Sequence, residues 1–598
     1  MGDVMQIRLL MLIPYLLFCM VGFALDYIES SQGLNNPQME SGRTELEMAD
    51  INNDGNIDIL SIGDHGSPYV NTQEHGVMVW YGNGQGLWNV YQNGDFGYGG
   101  IAVGDINNDG FMDIGYGMHH NYSSNDFGDS IIEVALGDGT GQNWIPWDDG
   151  ISIGDPNPWG MFCTDFADVN NDGFLDLGGN SFGGDDGVHI FINHGDGTWH
   201  QSFGFVGGLS RNDFLFGDLN ADGFVDIAVG HQYGSIYLGN GSGNFTLVDG
   251  NLPPGGTQGR RGPSLGDIDN EGTQEFGFIN ANGGIEVWKY LGSNTWQDFS
   301  GNLPDNGPYE SMQLYDMNID GSMDIAAFGS CTVTVWLGNG AGNWTQAISF
   351  NTPSPGTRSA FRVGADADHN GYPDIALVSN EGINHPRFYK ETSVPESLFI
   401  FPIYPRGGEK FYRGSIHFID WTCSQPTSNT ATIKLELSVS GPGGPWNLIC
   451  TGVPNNGRHQ WLIPASIQGF NNCYIRYTAI AGSDTAISLT RSSFTILPVV
   501  GISEISARIP NRLTLDILPN ITKEGIWLNI TTREDTKIKI FNNIGELVKE
   551  IFKITGAGEF RIYWDKKDNK GSIVPAGIYY AVAENKKERI SRRIVILE

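Results

Sequence analysis

Short apolar runs alternate with turns rich in Gly, Asn and Asp from residue 26 to about residue 392. In one stretch, Ile101–Val103, Met112–Tyr116, Ile131–Leu136 and Asn143–Trp147 each read as a strand bounded by turn residues. The last two are joined by Gly137-Asp138-Gly139-Thr140-Gly141-Gln142. Similar joints recur at Gly82-Asn83-Gly84-Gln85-Gly86, Gly239-Asn240-Gly241-Ser242-Gly243 and Gly338-Asn339-Gly340-Ala341-Gly342. An aromatic follows these joints at Trp88, Phe245 and Trp344, and it suits a core between neighbouring units better than a sugar platform. Four strands in each unit of about 50 residues predict a repeated antiparallel sheet, all-β throughout.

Between the first and second strand of every unit lies D-x-[DN]-x-[DNE]-G-x-x-[DE]. The oxygen-bearing positions one, three, five and nine are Asp50, Asn52, Asp54 and Asp58 in the first copy. They are Asp105, Asn107, Asp109 and Asp113 in the second, and Asp168, Asn170, Asp172 and Asp176 in the third. The fourth has Asp218, Asn220, Asp222 and Asp226, and the fifth Asp267, Asp269, Glu271 and Glu275. The sixth has Asp316, Asn318, Asp320 and Asp324, and the seventh Asp366, Asp368, Asn370 and Asp374. Crowded hard oxygens suit calcium, which takes about 6–8 of them, whereas zinc would want His or Cys at these places. One copy would read equally well as an ordinary Asn-Asp-Gly turn. Seven at spacings of 55, 63, 50, 49, 49 and 50 residues describe a metal loop carried by each repeat, up to seven calcium ions, mainly structural. The fifth copy, with the longer Glu271 and Glu275, and the seventh, with Asn370 and Pro373, are expected to be the weakest or empty sites.

The seventh unit has three strands and lacks an outer one. Residues Asp26–Leu34 read like the outer strands elsewhere and are expected to complete it, closing a ring without exposed edges. On these residues, above all Phe216-Gly217-Asp218-Leu219-Asn220-Ala221-Asp222-Gly223-Phe224-Val225-Asp226 and its six counterparts, the region 25–400 resembles the FG-GAP/VCBS repeat family known from integrin α chains. The resemblance implies a seven-bladed β-propeller with calcium in the hairpins of its lower face.

Composition then narrows the function classes. The formal net charge is −34, and six loops with three acids and one with four hold 22 of the 68 acidic residues. That acidity belongs to the loops and argues against nucleic-acid binding. Residues 1–24 hold an apolar stretch from Leu9 to Phe23 and read as a signal peptide. No other segment is apolar enough to span a membrane, so the mature chain is expected to be secreted or held at a bacterial surface. Six cysteines are scattered along the chain. One disulfide among Cys423, Cys450 and Cys473 and small buried thiols are equally open readings.

Beyond residue 401 the Asp-Gly loops stop. Residues 403–498, with His417–Trp421, Ile433–Leu437 and Cys473–Thr478 as strands, suggest an immunoglobulin- or fibronectin-like β-sandwich acting as a spacer. Residues 505–598 form a further sandwich. Its run Trp564-Asp565, Asp568-Asn569-Lys570-Gly571 and Pro575-Ala576-Gly577-Ile578-Tyr579-Tyr580 resembles flagellar hook-capping Ig-like domains and the sorting domain of type IX secretion. That resemblance implies contact with secretion machinery or surface anchoring.

If the ions are structural, a ligand belongs on the opposite face, where loops of variable length gather. They carry His119, His120, Trp159, His231, Arg260, Arg261, Tyr309 and Arg358, with His65, His75, Tyr122, His189 and Tyr233 nearby. Aromatics and Arg forks there suit a glycan or an acidic protein. The leading expectation is adhesion or recognition of an extracellular polysaccharide or protein. Alternatives are a polysaccharide lyase or hydrolase, with His119, His120 and Asp126 as first suspects, and a purely structural surface component. No nucleophile elbow, zinc motif or assignable carboxylate pair supports catalysis.

Overall fold

The computed structural model describes residues 25–598 except 38–44, 64–74, 98, 120–122, 124, 152–157, 184–186, 207–212, 231–235, 256–261, 354–359, 380–384, 427–428, 499–513, 519–520, 523–525, 533–535, 555–557, 565, 588 and 598. Seven four-stranded antiparallel sheets follow one another through the first part of the chain. In the second, the strands are Ile101–Gly104, Asp113–Gly117, Ile132–Gly137 and Trp144–Pro146, within a residue or two of the pattern read from the sequence. The seventh takes Phe361–Val363, Ile375–Ser379 and His385–Glu391 and then Tyr27–Glu29 from the start of the chain, with Tyr27 opposite Glu391 and Glu29 opposite Tyr389.

Each sheet buries an apolar face against the next. Ile114 and Tyr116 of the second sheet share a core with Leu60 and Val79 of the first, and Leu177 and Phe191 of the third share one with Ile132 and Val134 of the second. The series continues pair by pair. It returns to its start where Ile59, Trp80 and Trp88 of the first sheet pack with Ala376, Val378 and Phe388 of the seventh. The ring is therefore closed by packing as well as by strand pairing, the β-propeller solution to unpaired sheet edges. Of the aromatics after the glycine joints, Trp88 and Trp344 are buried in these cores and Phe245 is half-buried against one of them, a packing role rather than a sugar platform.

Residues 400–497 add a three-stranded sheet, Ile400–Tyr404, Ile416–Cys423 and Arg458–Leu462, facing a larger one built on Thr432–Ser438 and Phe470–Ala481. Trp421, Leu435, Tyr477 and Phe494 fill the space between them. Cys423, Cys450 and Cys473 are free thiols, so the disulfide left open among them is not formed. These residues belong to one compact unit with the ring. The remaining unit, residues 498–598, pairs Thr514–Leu518, Ile526–Thr532 and Gly558–Trp564 in one sheet. Its other sheet is built on Thr536–Asn542, Gly577–Glu584 and Arg589–Ile596, around Leu528, Ile540 and Trp564. No helix among the described residues is long and apolar enough to cross a membrane.

Candidate metal centres

The fourth sheet shows how a loop is built. Its inner strands are Phe214–Gly217 and Asp226–Val229, paired with Gly217 opposite Asp226, so the loop spans Asp218 to Asp226. Ala221 takes φ +50° and Gly223 φ +87°, which curls the chain around its own oxygens. The other loops repeat both turns, with Asn at the first in four of them, because Asn tolerates the left-handed region better than most residues. This left-handed fourth position was overlooked in the motif, although the recurrent Asn there is its signal.

The side chains then accept the loop's backbone amides. Asp218 accepts from Asp222 N at 3.2 Å and Gly223 N at 2.9 Å, Asn220 Oδ1 from Asp222 N at 3.0 Å, and Asp222 Oδ1 from Phe224 N at 2.8 Å. Asp226 closes the structure. One oxygen accepts from Leu219 N at 2.9 Å at the loop's start, the other from Gly239 N at 2.8 Å at the end of the third strand. The same double contact is made by Asp58, Asp113, Asp176, Asp324 and Asp374. These six aspartates are fully buried. In the fifth loop Glu275 keeps the first contact, to Ile268 N at 2.7 Å, while its Oε1 has no hydrogen bond.

Burial of this kind penalises charge. It pushes the Asp58, Asp113 and Asp324 carboxyls up to about 8, and Asp176 and Asp226 well above the carboxylate range. In all five the first acid of the same loop is the largest charge adding to the rise. Acidic groups converge closely enough to hold a metal ion: ligand oxygens of Asp267, Asp269 and Glu275, and of Asp366, Asp368 and Asp374, lie within 4.8 Å of one another. A donor set made only of oxygen suits a hard divalent cation, which would return the buried carboxylates to their charged form.

The unit at 400–497, expected as a spacer, is seated on these loops. Ile416 N donates to Asp168 Oδ2 at 2.9 Å and Asn456 Nδ2 to Asp50 Oδ2 at 3.2 Å. Gln460 makes a paired contact with the Asp105 backbone, at 3.1 and 2.6 Å. Tyr412 stacks on Phe224 at 5.0 Å, and Arg406 reaches Asn270 and the Gly321 carbonyl. A cavity of about 360 Å³ remains between ring and unit, walled by Asp165, Phe216, Tyr315, His417, Asp420 and Arg458. Nothing in the local sequence of 400–497 announces this contact, since its residues come from several separate turns.

On the opposite side, the described candidates serve the fold. His119 is buried, with its ring 5.4 Å from that of Phe162. His189 is buried between Ser181 Oγ at 2.9 Å and Gln201 Nε2 at 3.0 Å. His75 meets the Gly94 carbonyl at 2.6 Å, and Tyr309 packs edge-on against Trp336. His65, His120, Tyr122, His231, Tyr233, Arg260, Arg261 and Arg358 lie outside the described residues. Trp159 lies in the strand Pro158–Ala167, and its side chain is also outside them.

A family described as an FG-GAP-like repeat matches residues 50–116, 218–278 and 316–377. No curated protein matches the chain. Among solved structures, BBS1N in complex with ARL6DN, soaked with lead, is 12% identical over 61% of this chain and 96% of its own, with a TM-score of 0.36. PorZ, an essential bacterial surface component of the type-IX secretion system of Porphyromonas gingivalis, is 12% identical over 90% of this chain and 74% of its own, with a TM-score of 0.21. Dimeric latent PorU of the same organism is 11% identical over 54% and 31%, at 0.13. At these scores none of the three bears on function or partners.

Proposed function

Given an FG-GAP-repeat β-propeller, we propose that the chain is a calcium-binding recognition protein of the cell surface or extracellular space. Calcium holds the inner hairpins of the ring, and the face away from the loops binds a polysaccharide or protein. The observation that carries this reading is the seating of residues 400–497 on the metal loops, at Asp50, Asp105 and Asp168. With that side of the ring engaged, the opposite rim is the one left for a ligand. The buried acids support calcium, because uncompensated carboxylates in low dielectric are costly and a hard cation offsets the cost. Millimolar extracellular calcium can fill even weak oxygen sites, which fits the expected leader at 1–24. Residues 505–598 act as the sorting or anchoring segment.

The test is affinity electrophoresis of the full chain through gels cast with different polysaccharides, with calcium or with EGTA. Calcium-dependent retardation in one gel supports glycan recognition. No retardation in any gel excludes those glycans and transfers the reading to a protein ligand. A cleared track behind the band would show an enzyme instead.

A further inference from the structure

The seven loops are not alike in what faces them from the third strand of their sheet. The residue after the one opposite Ile59, Ile114, Leu177, Ile227 and Ile325 is Tyr81, Leu136, Ile192, Leu238 and Leu337. At the same register the fifth sheet has Lys289, following Trp288 opposite Phe276, and the seventh has Lys390, following Tyr389 opposite Ile375. These are the two loops whose third position is Asp, at Asp269 and Asp368, where the other five have Asn.

The lysines turn into the loops. Lys289 Nζ pairs with Asp269, lies 3.0 Å from Glu271 Oε2 and 3.7 Å from Glu275 Oε1, and its side chain is only 12% exposed. It meets positions three, five and nine of one loop, including the Glu275 oxygen that has no hydrogen bond. Lys390 Nζ lies 3.0 Å from Asp368 Oδ2. A calcium ion would need the same oxygens at about 2.3–2.6 Å. It would then stand within a few ångströms of an ammonium that is largely shielded from water, a like-charge contact that neither ion tolerates.

We infer that Lys289 and Lys390 take the place of the metal in the fifth and seventh blades, so that the ring holds five calcium ions and two internal ammonium groups. The inference rests on the calcium reading above. An ammonium cannot be removed by dilution or chelation, so these two blades keep their hairpins closed when the other five are stripped. The extra Asp at position three is then the partner of the lysine and not an additional calcium ligand.

Native mass spectrometry of the full chain in excess calcium counts the ions. Five are expected in the wild type, six in K289M and four in N107D/L136K, which moves the Asp-Lys pair into the second blade. A second readout needs no variant. On adding EGTA, amide exchange at Leu219 and Gly223 in the fourth loop should accelerate at least about tenfold, while Ile268 and Gly272 in the fifth should change less than about twofold. A wild-type count above five, a K289M count no higher than wild type, or equal acceleration of both loops overturns the inference. A wild type that binds no calcium at all defeats the calcium reading itself, and with it this one.

Discussion

Replacing Asp226 by Ala tests the loop architecture most directly. The carboxylate is fully buried and accepts two backbone amides, Leu219 N at 2.9 Å and Gly239 N at 2.8 Å. Those amides sit at the loop's start and on the neighbouring strand, so one side chain ties three strands of the blade together. A hydrogen bond to a charged group contributes about 1.5–3 kcal/mol, and two give about 3–6 kcal/mol. In calcium that loss should appear in full, because the ion loses a ligand as well. In EGTA it should be smaller, since deletion also relieves repulsion from Asp218 and Asp222, both of which raise the Asp226 pKa. The assay is native-state hydrogen exchange on the full chain, which reads local opening and avoids treating several folding units as one transition. With a factor of ten for each 1.4 kcal/mol, both amides should exchange at least about 100-fold faster in calcium. Acceleration below tenfold at both sites, or a larger effect in EGTA than in calcium, would refute the reasoning.

Three other outcomes are expected. Burial raises Asp58, Asp113 and Asp324 to about 8, against about 3.9 in an unfolded chain. The calcium-free fold therefore binds more protons than the unfolded chain between pH 4 and 8, and its stability falls as pH rises through that window. In EGTA the melting temperature of the ring should drop from pH 5 to pH 8.5, with calcium restoring most at the upper end; a flat or rising EGTA profile contradicts this. Asp222→Ala should lower the ring's melting temperature more than Glu271→Ala, because Asp222 holds Phe224 N at 2.8 Å whereas Glu271 is 69% exposed beside Lys289; the reverse order would count against the loop geometry. Gln460→Ala removes two hydrogen bonds to the Asp105 backbone, worth about 1–3 kcal/mol together. It should speed proteolysis between Thr392 and Phe399, and an unchanged cleavage rate would mean that Gln460 does not hold the unit to the ring.

Much of the ring is legible in the chain itself. Strand and turn signals are local: an apolar run, a glycine joint and an aromatic recur because each blade solves the same packing problem, and repetition turns a weak motif into a strong one. Even the closure by Tyr27–Glu29 could be read, since the seventh unit lacks an outer strand and an unpaired edge is unfavourable. The side-chain environments are less legible. His119 borders a polar loop and His189 interrupts the apolar run Val188–Ile192, and each is buried by residues from other strands. Exposure depends on neighbours that the local pattern does not contain.

The sequence by itself determined the repeat, the strands within it and the oxygen-bearing positions of each loop, and it set the fifth and seventh loops apart from the common pattern. These follow from dihedral preferences and hydrophobic period, which act over a few residues. Only the tertiary structure decided that residues 400–497 rest on the loops and that Lys289 points into one of them. Both depend on charges and amides brought together from distant segments, and for such contacts the energy comes from desolvation and geometry that no linear spacing encodes.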